Sequence, residues 1–174
     1  MKERVLVLGG TGMLGSMMVR VLKEAGCDVA ATCRYNRAPG TATYGWPNLD
    51  AEYVWRQDDM PGPNLNDYGW IVNCIGITKP GISERDFSSI ERAIHVNSTF
   101  PHLLARYAHP EQGIIQIATD CVYSGRGEWP YEDTPHDALD VYGKTKSLGE
   151  VVAESVMHLR TSIIGPEPRD EKRY

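Results

Sequence analysis

The sequence predicts an α/β protein in which a doubly wound parallel sheet carries helices on both faces. Short apolar runs alternate with helical patterns along the 174 residues, and the first run ends in a glycine-rich turn that opens the first helix. Such alternation is typical of parallel strands joined by crossover helices. The length and a hydrophobic content of 41% suit one domain, which we expect over residues 1–168, followed by a charged tail over residues 169–174.

The turn lies between the first predicted strand, Val5–Leu8, and a helix whose apolar residues recur at helical spacing up to Ala25. Its three glycines follow a G-x-x-G-x-x-G spacing. The first allows a sharp turn, the second lets the backbone approach a pyrophosphate, and the third lets the helix pack against the strand. The free N–H groups and positive dipole end of the new helix favour the same anion. We therefore predict nucleotide binding, rather than a purely structural turn, by Gly9, Thr11, Gly12, Met13, Leu14 and Gly15.

The end of the second predicted strand, Asp28–Arg34, bears on the choice of cofactor. Gly26 is placed to end the first helix just before this strand. NAD-binding proteins usually carry an acidic residue at the strand end to hold the ribose 2′-hydroxyl. This chain has Arg34 there and Arg37 three residues on, and cations suit a 2′-phosphate. We therefore expect NADP(H) as the preferred cofactor and NAD(H) as the second choice; the alternative is that both arginines are solvated surface charges.

The remaining elements follow from apolar runs, helical spacing and the glycines and prolines between them. Trp70–Ile77 is a good candidate for a central parallel strand because it is mostly apolar, and a glycine near its end would let the backbone pass close to a cofactor. Pro101 is expected to end or kink the helical segment that follows. In chain order we predict a loop over residues 36–50, strands Glu52–Arg56 and Trp70–Ile77, helix Ile82–Ala108, strand Gly113–Ala118, helix Tyr142–Val156 and strand Leu159–Ile164.

Composition excludes several classes of function. A formal net charge of −5 and a pI of about 5.5 lack the basic footprint of a nucleic-acid-binding protein. No apolar run reaches the length that crosses a bilayer, and the first residues lead directly into a strand, which leaves no room for a signal peptide. The cysteines lack C-x-x-C spacing and the histidines lack metal-ligand spacing. We therefore expect a cytoplasmic protein with reduced thiols and without a metal, nucleic-acid or membrane partner.

Two clusters carry the predicted chemistry. Thr119 directly follows the fifth predicted strand, and the carboxyl ends of the strands line the ligand crevice in open α/β sheets. Tyr142 and Lys146 are four residues apart on a predicted helix, so their side chains share one face. A nearby ammonium is expected to lower the tyrosine pKa from about 10, which makes the phenol a usable proton donor or acceptor near neutral pH. The alternative for this pair is an exposed helix face.

Six segments form an ordered set along nearly the whole chain: Gly9–Gly15, Asn73–Gly76, His95–Asn97, Thr119–Tyr123, Val141–Lys146 and Leu159–Ser162. Together they resemble the motifs of the extended short-chain dehydrogenases/reductases, and within them of the dTDP-4-dehydrorhamnose reductase-like branch, which modifies nucleotide-linked sugars. The resemblance implies a Rossmann fold, an NAD(P)-dependent oxidoreductase and a role in cell-surface polysaccharide biosynthesis.

The resemblance also implies a role for each matching residue. Tyr142 would donate a proton to the C4 carbonyl oxygen of the sugar, Lys146 would tune that phenol and hold the nicotinamide ribose, and Thr119 would hydrogen-bond the reacting oxygen. Asn97 would support Lys146 through water, unless it is a structural amide. Lys79, in the loop over residues 78–81, would meet the substrate diphosphate, unless it is a solvated lysine. The remaining implied cofactor contacts are Cys74, Ile75 and Gly76 beside the adenosine and ribose, and Asp59 and Met60 beside the adenine.

Two departures from the family pattern bear on the substrate. Ile163 stands where many rhamnose-type reductases have a tryptophan after Arg-Thr-Ser, so an aromatic stacking surface is missing. The chain stops soon after Pro168, whereas extended members continue into a region that supplies much of the sugar-nucleotide pocket. Two alternatives stand beside the reductase: a nucleotide-sugar epimerase or dehydratase with tightly held NAD, and a non-catalytic binding module like the regulatory β subunit of methionine adenosyltransferase. A homodimer is expected by analogy with the superfamily.

Overall fold

Six parallel strands form one sheet in the computed structural model, which describes residues 3–33, 46–47, 51, 64–126 and 129–165. Five of these strands have four to six residues, and the remaining one has two. The strands are β1 (Arg4–Leu8), β2 (Asp28–Cys33), β3 (Trp46–Pro47), β4 (Trp70–Asn73), β5 (Gly113–Ala118) and β6 (Val156–Arg160), and the α-helices are α1 (Met13–Glu24), α2 (Phe87–Ile94), α3 (Phe100–Tyr107) and α4 (Val141–Leu148).

The strand order β3-β2-β1-β4-β5-β6 confirms the doubly wound α/β prediction. The chain moves outward from β1 to β3, returns to place β4 beside β1, and then moves outward to β6 on the other side. Every neighbouring pair is parallel. The carboxyl ends of β1 and β4 therefore flank the point where the order reverses, and ligands of such sheets bind in the crevice at that point.

Apolar residues on the two faces of the central strands form two clusters. On one face, Leu6, Leu8 and Ile71 are fully buried, and they belong to the same cluster as Phe100 and Leu104 of α3. Because successive residues of a strand point to opposite faces, the alternate apolar residues of β1 belong to the second cluster. That cluster comprises Val5, Val7, Val19, Ala31 and Val72. Burial on both faces explains the near-continuous apolar runs in the sequence.

The end of α1 confirms the predicted position of Gly26. This residue has φ +88°. Its N–H donates to the Lys23 carbonyl at 2.9 Å, and the next N–H, of Cys27, donates to the Leu22 carbonyl at 3.0 Å. This pair of bonds is a Schellman motif, which turns the chain sharply out of the helix and into β2.

The helix predicted to begin at Ile82 begins at Phe87. Asp86 Oδ1 accepts a hydrogen bond from the Ser88 N–H at 3.1 Å, so this aspartate caps the helix. The preceding residues contain a short 3₁₀ turn, Lys79–Gly81, and are otherwise irregular. An N-cap of this kind fixes the start of a helix because it satisfies an N–H that the helix itself leaves free.

Pro101 changes the winding of this helical segment without ending it. His95–Thr99 form a π-helical turn between α2 and α3, and the N–H of Phe100 donates to the carbonyl of His95. In a regular α-helix Pro101 would donate to the carbonyl of Asn97, but proline has no N–H. The wider π turn stands directly before the proline, and such turns occur frequently at functional sites.

The predicted boundaries of the last helix and strand were wrong. The helix expected to reach Val156 ends at Leu148, before Gly149, and β6 spans Val156–Arg160 instead of beginning at Leu159. Glycine is a poor helix former. Glu150, one residue later, directs its carboxylate to Arg160 at the end of β6. A tertiary contact therefore turns the chain where the periodicity alone would continue the helix.

One predicted loop contains an edge strand. Trp46–Pro47 pair with Thr32 and Cys33 of β2, within the loop expected over residues 36–50. Proline is tolerated at a sheet edge because one side of the strand needs no ladder donor. The strand expected at Glu52–Arg56 lies outside the described residues. Among the helices that the structure describes, none is long and apolar enough to cross a membrane.

Candidate functional site

The three glycines of the turn after β1 have distinct geometries. Gly9 has φ +79°, and its N–H donates to Thr32 Oγ1 of β2 at 3.1 Å. The Gly12 N–H donates to the Gly9 carbonyl at 3.0 Å, which closes the turn. A Cβ at Gly15 would lie 2.2 Å from that same carbonyl oxygen, whereas a Cβ at Gly12 would lie 3.5 Å from it. The close approach of α1 to the turn therefore requires glycine at position 15.

The start of α1 offers unpaired donors to an anion. Gly12 precedes the helix in an extended conformation, and no side chain caps it. The first N–H groups of an α-helix have no partner within the helix, and the positive end of its dipole lies there. Thr11, Met13 and Leu14 lie at this end of α1. These features fit the pyrophosphate of a dinucleotide cofactor.

The segment after β4 runs beside the glycine turn. The Cys74 N–H donates to the Leu8 carbonyl at 3.0 Å, and a Cβ at Gly9 would lie 3.0 Å from Ile75 Cγ1. Asn73 shapes this segment, because its Oδ1 accepts from the Ile75 N–H at 3.0 Å. The structure thus brings the turn and the predicted contacts Cys74 and Ile75 together at the reversal point of the sheet.

Gly76 lies beside the buried polar groups of the site. A Cβ there would lie 3.5 Å from Asn97 Oδ1 and 3.8 Å from Lys146 Nζ. Burial raises the pKa of the neighbouring Cys74 thiol to about 12, although the charge of Lys146 acts to lower it. Cys74 is therefore neutral at physiological pH and packs as a small apolar group.

Asn97 bridges two elements directly. Its Oδ1 accepts from the Ile77 N–H at 2.8 Å, and its Nδ2 donates to the Ile77 carbonyl at 3.0 Å and to Thr145 Oγ1 at 3.3 Å. Ser98 Oγ also donates to the Thr145 carbonyl, at 2.7 Å. The π-helical turn thus ties α4 to the segment after β4. These contacts fit the alternative that Asn97 is a structural amide, and support of Lys146 through water stays a prediction.

Lys146 is buried with one defined partner. Its Nζ donates to the Ile117 carbonyl of β5 at 2.7 Å, and only 7% of the residue is exposed. Burial lowers its pKa to about 8, although the charges of Glu150 and Cys74 act in the opposite direction. The ammonium is therefore held at a fixed point near Gly76 and close to losing its proton.

The low pKa of Lys146 predicts a pH-dependent stability. Below pH 8 the lysine is charged in the folded and unfolded chains, so the fold bears the full cost of burying the charge. As the pH rises from about 8 to about 10.5, the folded chain releases this proton first, and the free energy of unfolding increases. Relative to a Lys146→Met variant, we expect a gain of about 2 kcal/mol between about pH 7 and about pH 9.5.

Urea unfolding at several pH values measures this gain. Lys144→Met, an exposed neighbour on the same helix, is the matched control and should show no such trend. A free-energy difference between wild type and Lys146→Met that does not change with pH would contradict the buried position of the ammonium.

Thr119 and Tyr142 face one another at the carboxyl end of β5. Burial raises the pKa of the Tyr142 phenol, and a hydrogen bond with the Thr119 side chain acts in the opposite direction. Thr119 Oγ1 also accepts from the Cys121 N–H at 3.2 Å. The expected lowering of the Tyr142 pKa by Lys146 is wrong for this structure: the pKa is raised, chiefly by burial, and the Lys146 ammonium is bound to the Ile117 carbonyl.

Asp120 is a site residue to which the sequence reasoning gave no role. Its carboxylate accepts hydrogen bonds from the hydroxyls of Ser162 and Thr119, and these bonds hold its pKa below the usual range. Its negative charge also contributes to the raised pKa of Tyr142. The sequence feature that could have identified Asp120 is its position directly after Thr119, because residues at the carboxyl ends of strands line the ligand crevice.

Four of the predicted cofactor contacts, Arg34, Arg37, Asp59 and Met60, lie outside the described residues. The other predicted residues lie at the carboxyl ends of β1, β4 and β5 or on the elements packed against them. In the part of the chain that the structure describes, no group of three or more histidine, cysteine, aspartate or glutamate side chains could hold a metal ion. A buried ammonium, a phenol, a hydroxyl and free helix N–H groups together can hold an anionic dinucleotide and donate a proton to a ligand oxygen.

Arg160 joins three segments beside this site. Its Nε and Nη2 donate to the two carboxylate oxygens of Glu150 at 2.9 and 2.7 Å. Its Nη1 donates to the Tyr123 hydroxyl at 2.6 Å and to the Glu132 carbonyl at 2.7 Å. The guanidinium therefore fixes the end of α4 and the segment after β5 to β6.

Replacing Arg160 with lysine is expected to lower the free energy of unfolding by about 1–3 kcal/mol, because one ammonium cannot make these four bonds. Urea denaturation measures the change. Arg85→Lys, at an exposed position, is the matched control and should change stability little. Equal effects of the two substitutions would contradict the role given to Arg160.

The family follows from a comparison with known proteins. A family model described as the RmlD substrate binding domain matches residues 2–164. The chain belongs to this family. The match confirms the resemblance to short-chain dehydrogenases/reductases of the dTDP-4-dehydrorhamnose reductase type.

Two curated relatives of this RmlD-type chain are named for different functions, one as a ketoreductase and the other as a subunit of methionine adenosyltransferase 2. A probable dTDP-4,6-dihydroxy-2-methyloxan-3-one 4-ketoreductase of Streptomyces antibioticus is 33% identical over 151 residues, which cover 84% of this chain and 45% of the relative. The methionine adenosyltransferase 2 subunit beta of Danio rerio is 34% identical over 152 residues, which cover 85% of this chain and 42% of the relative. The RmlD-type chain thus spans about half the length of the curated relatives it matches.

A solved structure shows the same fold. The dTDP-4-dehydrorhamnose reductase of Bacillus anthracis, crystallised with NADP, is similar with a TM-score of 0.68 and 20% sequence identity. The similarity covers 92% of the RmlD-type chain and 53% of the reductase. The Rossmann-type arrangement of the sheet and helices is therefore shared with a structure in which NADP is bound.

Proposed function

We propose that this chain forms the cofactor-binding and proton-donating part of an NAD(P)H-dependent reductase that acts on a 4-keto nucleotide sugar in polysaccharide biosynthesis. The observation that carries the proposal is the convergence of Thr119, Tyr142 and Lys146 on the sheet edge that also holds the glycine turn. A ketone reductase needs a dinucleotide site and a proton donor at one place. The names of the reductase relatives support the same substrate class.

The cofactor would lie along the turn and the segment after β4. The free N–H groups of α1 would bind its pyrophosphate, and Cys74, Ile75 and Gly76 would pass beside its adenosine and ribose. Lys146 would hold the nicotinamide ribose, because its ammonium is fixed next to Gly76. When bound, the reduced nicotinamide supplies a hydride to the carbonyl carbon of the sugar.

The protein residues would handle the proton and the oxygen. Tyr142 would donate its phenolic proton to the carbonyl oxygen, which becomes a hydroxyl, and the phenolate would recover a proton from solvent. Its raised pKa keeps the phenol protonated before the reaction. Thr119 would hold the substrate oxygen next to this phenol through its hydroxyl, which lies beside Tyr142.

The preference for NADP(H) over NAD(H) rests on Arg34 and Arg37 at the end of the second strand. Replacing Arg34 with alanine should remove the preference, measured as the ratio of dissociation constants for NADPH and NADH. Lys2→Ala, far from the strand end in sequence, serves as a charge-matched control. If Arg34→Ala leaves this ratio unchanged, Arg34 is a solvated surface charge and does not bind the 2′-phosphate.

Oxidation of NADPH, followed by its absorbance, tests the reductase directly when dTDP-4-keto-6-deoxyglucose is added to the purified chain. We expect turnover that requires both the nucleotide sugar and the reduced cofactor. If the chain binds NADPH but turns over no nucleotide sugar, the reductase activity is excluded for this chain.

A binding module is the second candidate, because the methionine adenosyltransferase 2 subunit beta is as similar to this chain as the reductase relative is. In that case the dinucleotide site would serve a partner contact. NADPH binding without turnover, together with complex formation with a methionine adenosyltransferase catalytic subunit, would favour this candidate over the reductase.

A further inference from the structure

The first turn of α4, which carries Tyr142, receives a cap from a distant part of the chain. The Val141 N–H donates to Glu84 Oε1 at 2.9 Å, and the Gly143 N–H donates to Asp140 Oδ1 at 2.7 Å. Helix starts leave such N–H groups without partners inside the helix. Here one partner is the local cap, Asp140, and the other comes from the segment between β4 and α2, 57 residues earlier.

Asp140 also joins that segment through its second oxygen. Lys79 Nζ donates to Asp140 Oδ2 at 2.6 Å. The bonds from the Gly143 N–H and from Lys79 hold the pKa of Asp140 below its usual range, so the carboxylate is charged at neutral pH. In this structure Lys79 is therefore bound to the start of the tyrosine-bearing helix.

The segment that supplies Lys79 and Glu84 is anchored at both ends. Before it, the Asn97 side chain binds the N–H and carbonyl of Ile77. After it, Asp86 caps α2, and the Ser83 N–H donates to Ser89 Oγ at 2.9 Å. Two fixed ends limit how far the segment moves, so its contacts with α4 restrain that helix.

The first turn of α4 has no spare room at Gly143. A Cβ at Gly143 would lie 2.4 Å from the Cys121 carbonyl oxygen and 2.6 Å from Ala138 Cβ. Cys121 is two residues from Thr119 and donates its N–H to the Thr119 hydroxyl. A small displacement of this turn would therefore change the distance between Tyr142 and Thr119.

We propose that Lys79, Glu84 and Asp140 act as a clasp that positions Tyr142 against Thr119. Glu84 and Asp140 hold the N–H groups on either side of Tyr142, and Lys79 joins Asp140 to the anchored segment. They are positioning residues, and their effect on catalysis rests on the proposed reductase function. Their effect on the first turn of α4 does not.

Amide hydrogen exchange measures the clasp without turnover. Glu84→Ala removes the acceptor of the Val141 N–H, and we expect this amide to exchange about tenfold faster. Glu84→Gln keeps an oxygen acceptor at the same place and should restore slow exchange. Glu91→Ala, at an exposed position of α2, is the matched control and should leave the Val141 amide unchanged.

The Lys79 contact is separated from the cap by a second pair of variants. Asp140→Asn keeps a good N-cap oxygen for the Gly143 N–H and loses the charged oxygen that accepts from Lys79. Asp140→Asn, Lys79→Met and the double variant should therefore accelerate exchange of the Gly143 amide, which is bonded to Asp140, by the same few-fold factor. Additive effects of the two single substitutions would overturn the part of the proposal that concerns Lys79.

Kinetics link the clasp to catalysis. In Glu84→Ala we expect kcat to fall about tenfold with unchanged KM and NADPH dissociation constant, and Glu84→Gln should recover most of the loss. Unchanged Val141 exchange in Glu84→Ala, or failure of Glu84→Gln to restore it, overturns the proposal. If the variants show the expected exchange changes but the chain turns over no substrate, the clasp is supported and the reductase function is excluded. Failure of the clasp and failure of the proposed function are therefore distinguishable.

Discussion

Replacing Tyr142 with phenylalanine is expected to lower turnover of a 4-keto nucleotide sugar by about a hundredfold to ten-thousandfold, while NADPH affinity changes little. The substitution removes the only atom through which this side chain donates a proton and keeps the ring. The phenol is partly buried and interacts with the Thr119 side chain. The substitution would therefore also remove the hydroxyl that we propose meets the substrate oxygen. Single-turnover measurement of NADPH oxidation at saturating cofactor isolates this step.

Tyr131→Phe is the matched control, because Tyr131 is 78% exposed and is not among the predicted site residues. It should leave kcat unchanged. Full activity in Tyr142→Phe would remove the proton-donor role and, with it, the proposed reductase mechanism.

Replacing Gly15 with alanine is expected to have the second large effect, on the fold itself. The new Cβ would lie 2.2 Å from the Gly9 carbonyl oxygen, which is backbone and cannot rotate away. The start of α1 must then move from the turn, and we expect a loss of about 1–3 kcal/mol in the free energy of unfolding together with loss of NADPH binding. Urea denaturation and calorimetric titration measure the two effects.

Gly12→Ala separates packing from cofactor contact in the same turn. A Cβ there would lie 3.5 Å from the Gly9 carbonyl oxygen, an ordinary contact, so stability should change by less than about 0.5 kcal/mol. The methyl group would nevertheless intrude where the backbone approaches the pyrophosphate, and NADPH affinity should fall about tenfold. Equal stability losses for Gly12→Ala and Gly15→Ala would show that the two glycines do not differ in the way the geometry indicates.

Local rules predicted the parts of the fold that local contacts determine. The positive φ of Gly9 and Gly26 follows from turn and cap positions that the spacing already marks. Gly113–Ala118 is observed with the predicted bounds, because a short apolar run between breakers has few alternatives. The doubly wound parallel class followed from the alternation of strands and helices, since such a sheet is the usual arrangement of these units.

Contacts between distant residues determine what the sequence did not predict. α4 ends at Leu148 because Gly149 and the Glu150–Arg160 pair turn the chain, and the pair joins two different elements. The Tyr142–Lys146 spacing indicated a shared helix face. It did not show that Lys146 would be buried against the Ile117 carbonyl, and burial reverses the expected direction of the Tyr142 pKa shift.

The clasp was outside the reach of sequence reasoning for the same reason. Asp140 lies just before the observed start of α4 at Val141, whereas the sequence predicted a helix that begins at Tyr142. Its partner Lys79 and the second cap, Glu84, lie 61 and 57 residues before the groups they contact. No periodicity or spacing rule connects positions at that distance, so only the fold brings them together.

Calorimetric titration of the purified chain with NADPH and NADH, side by side with Gly12→Ala, tests the central claim most directly. We expect the chain to bind NADPH, to bind NADH more weakly, and to lose affinity for both in Gly12→Ala while the protein remains folded. If neither cofactor binds to the folded wild-type chain, the glycine turn is only a structural connection between β1 and α1, and the reductase site proposed here does not exist.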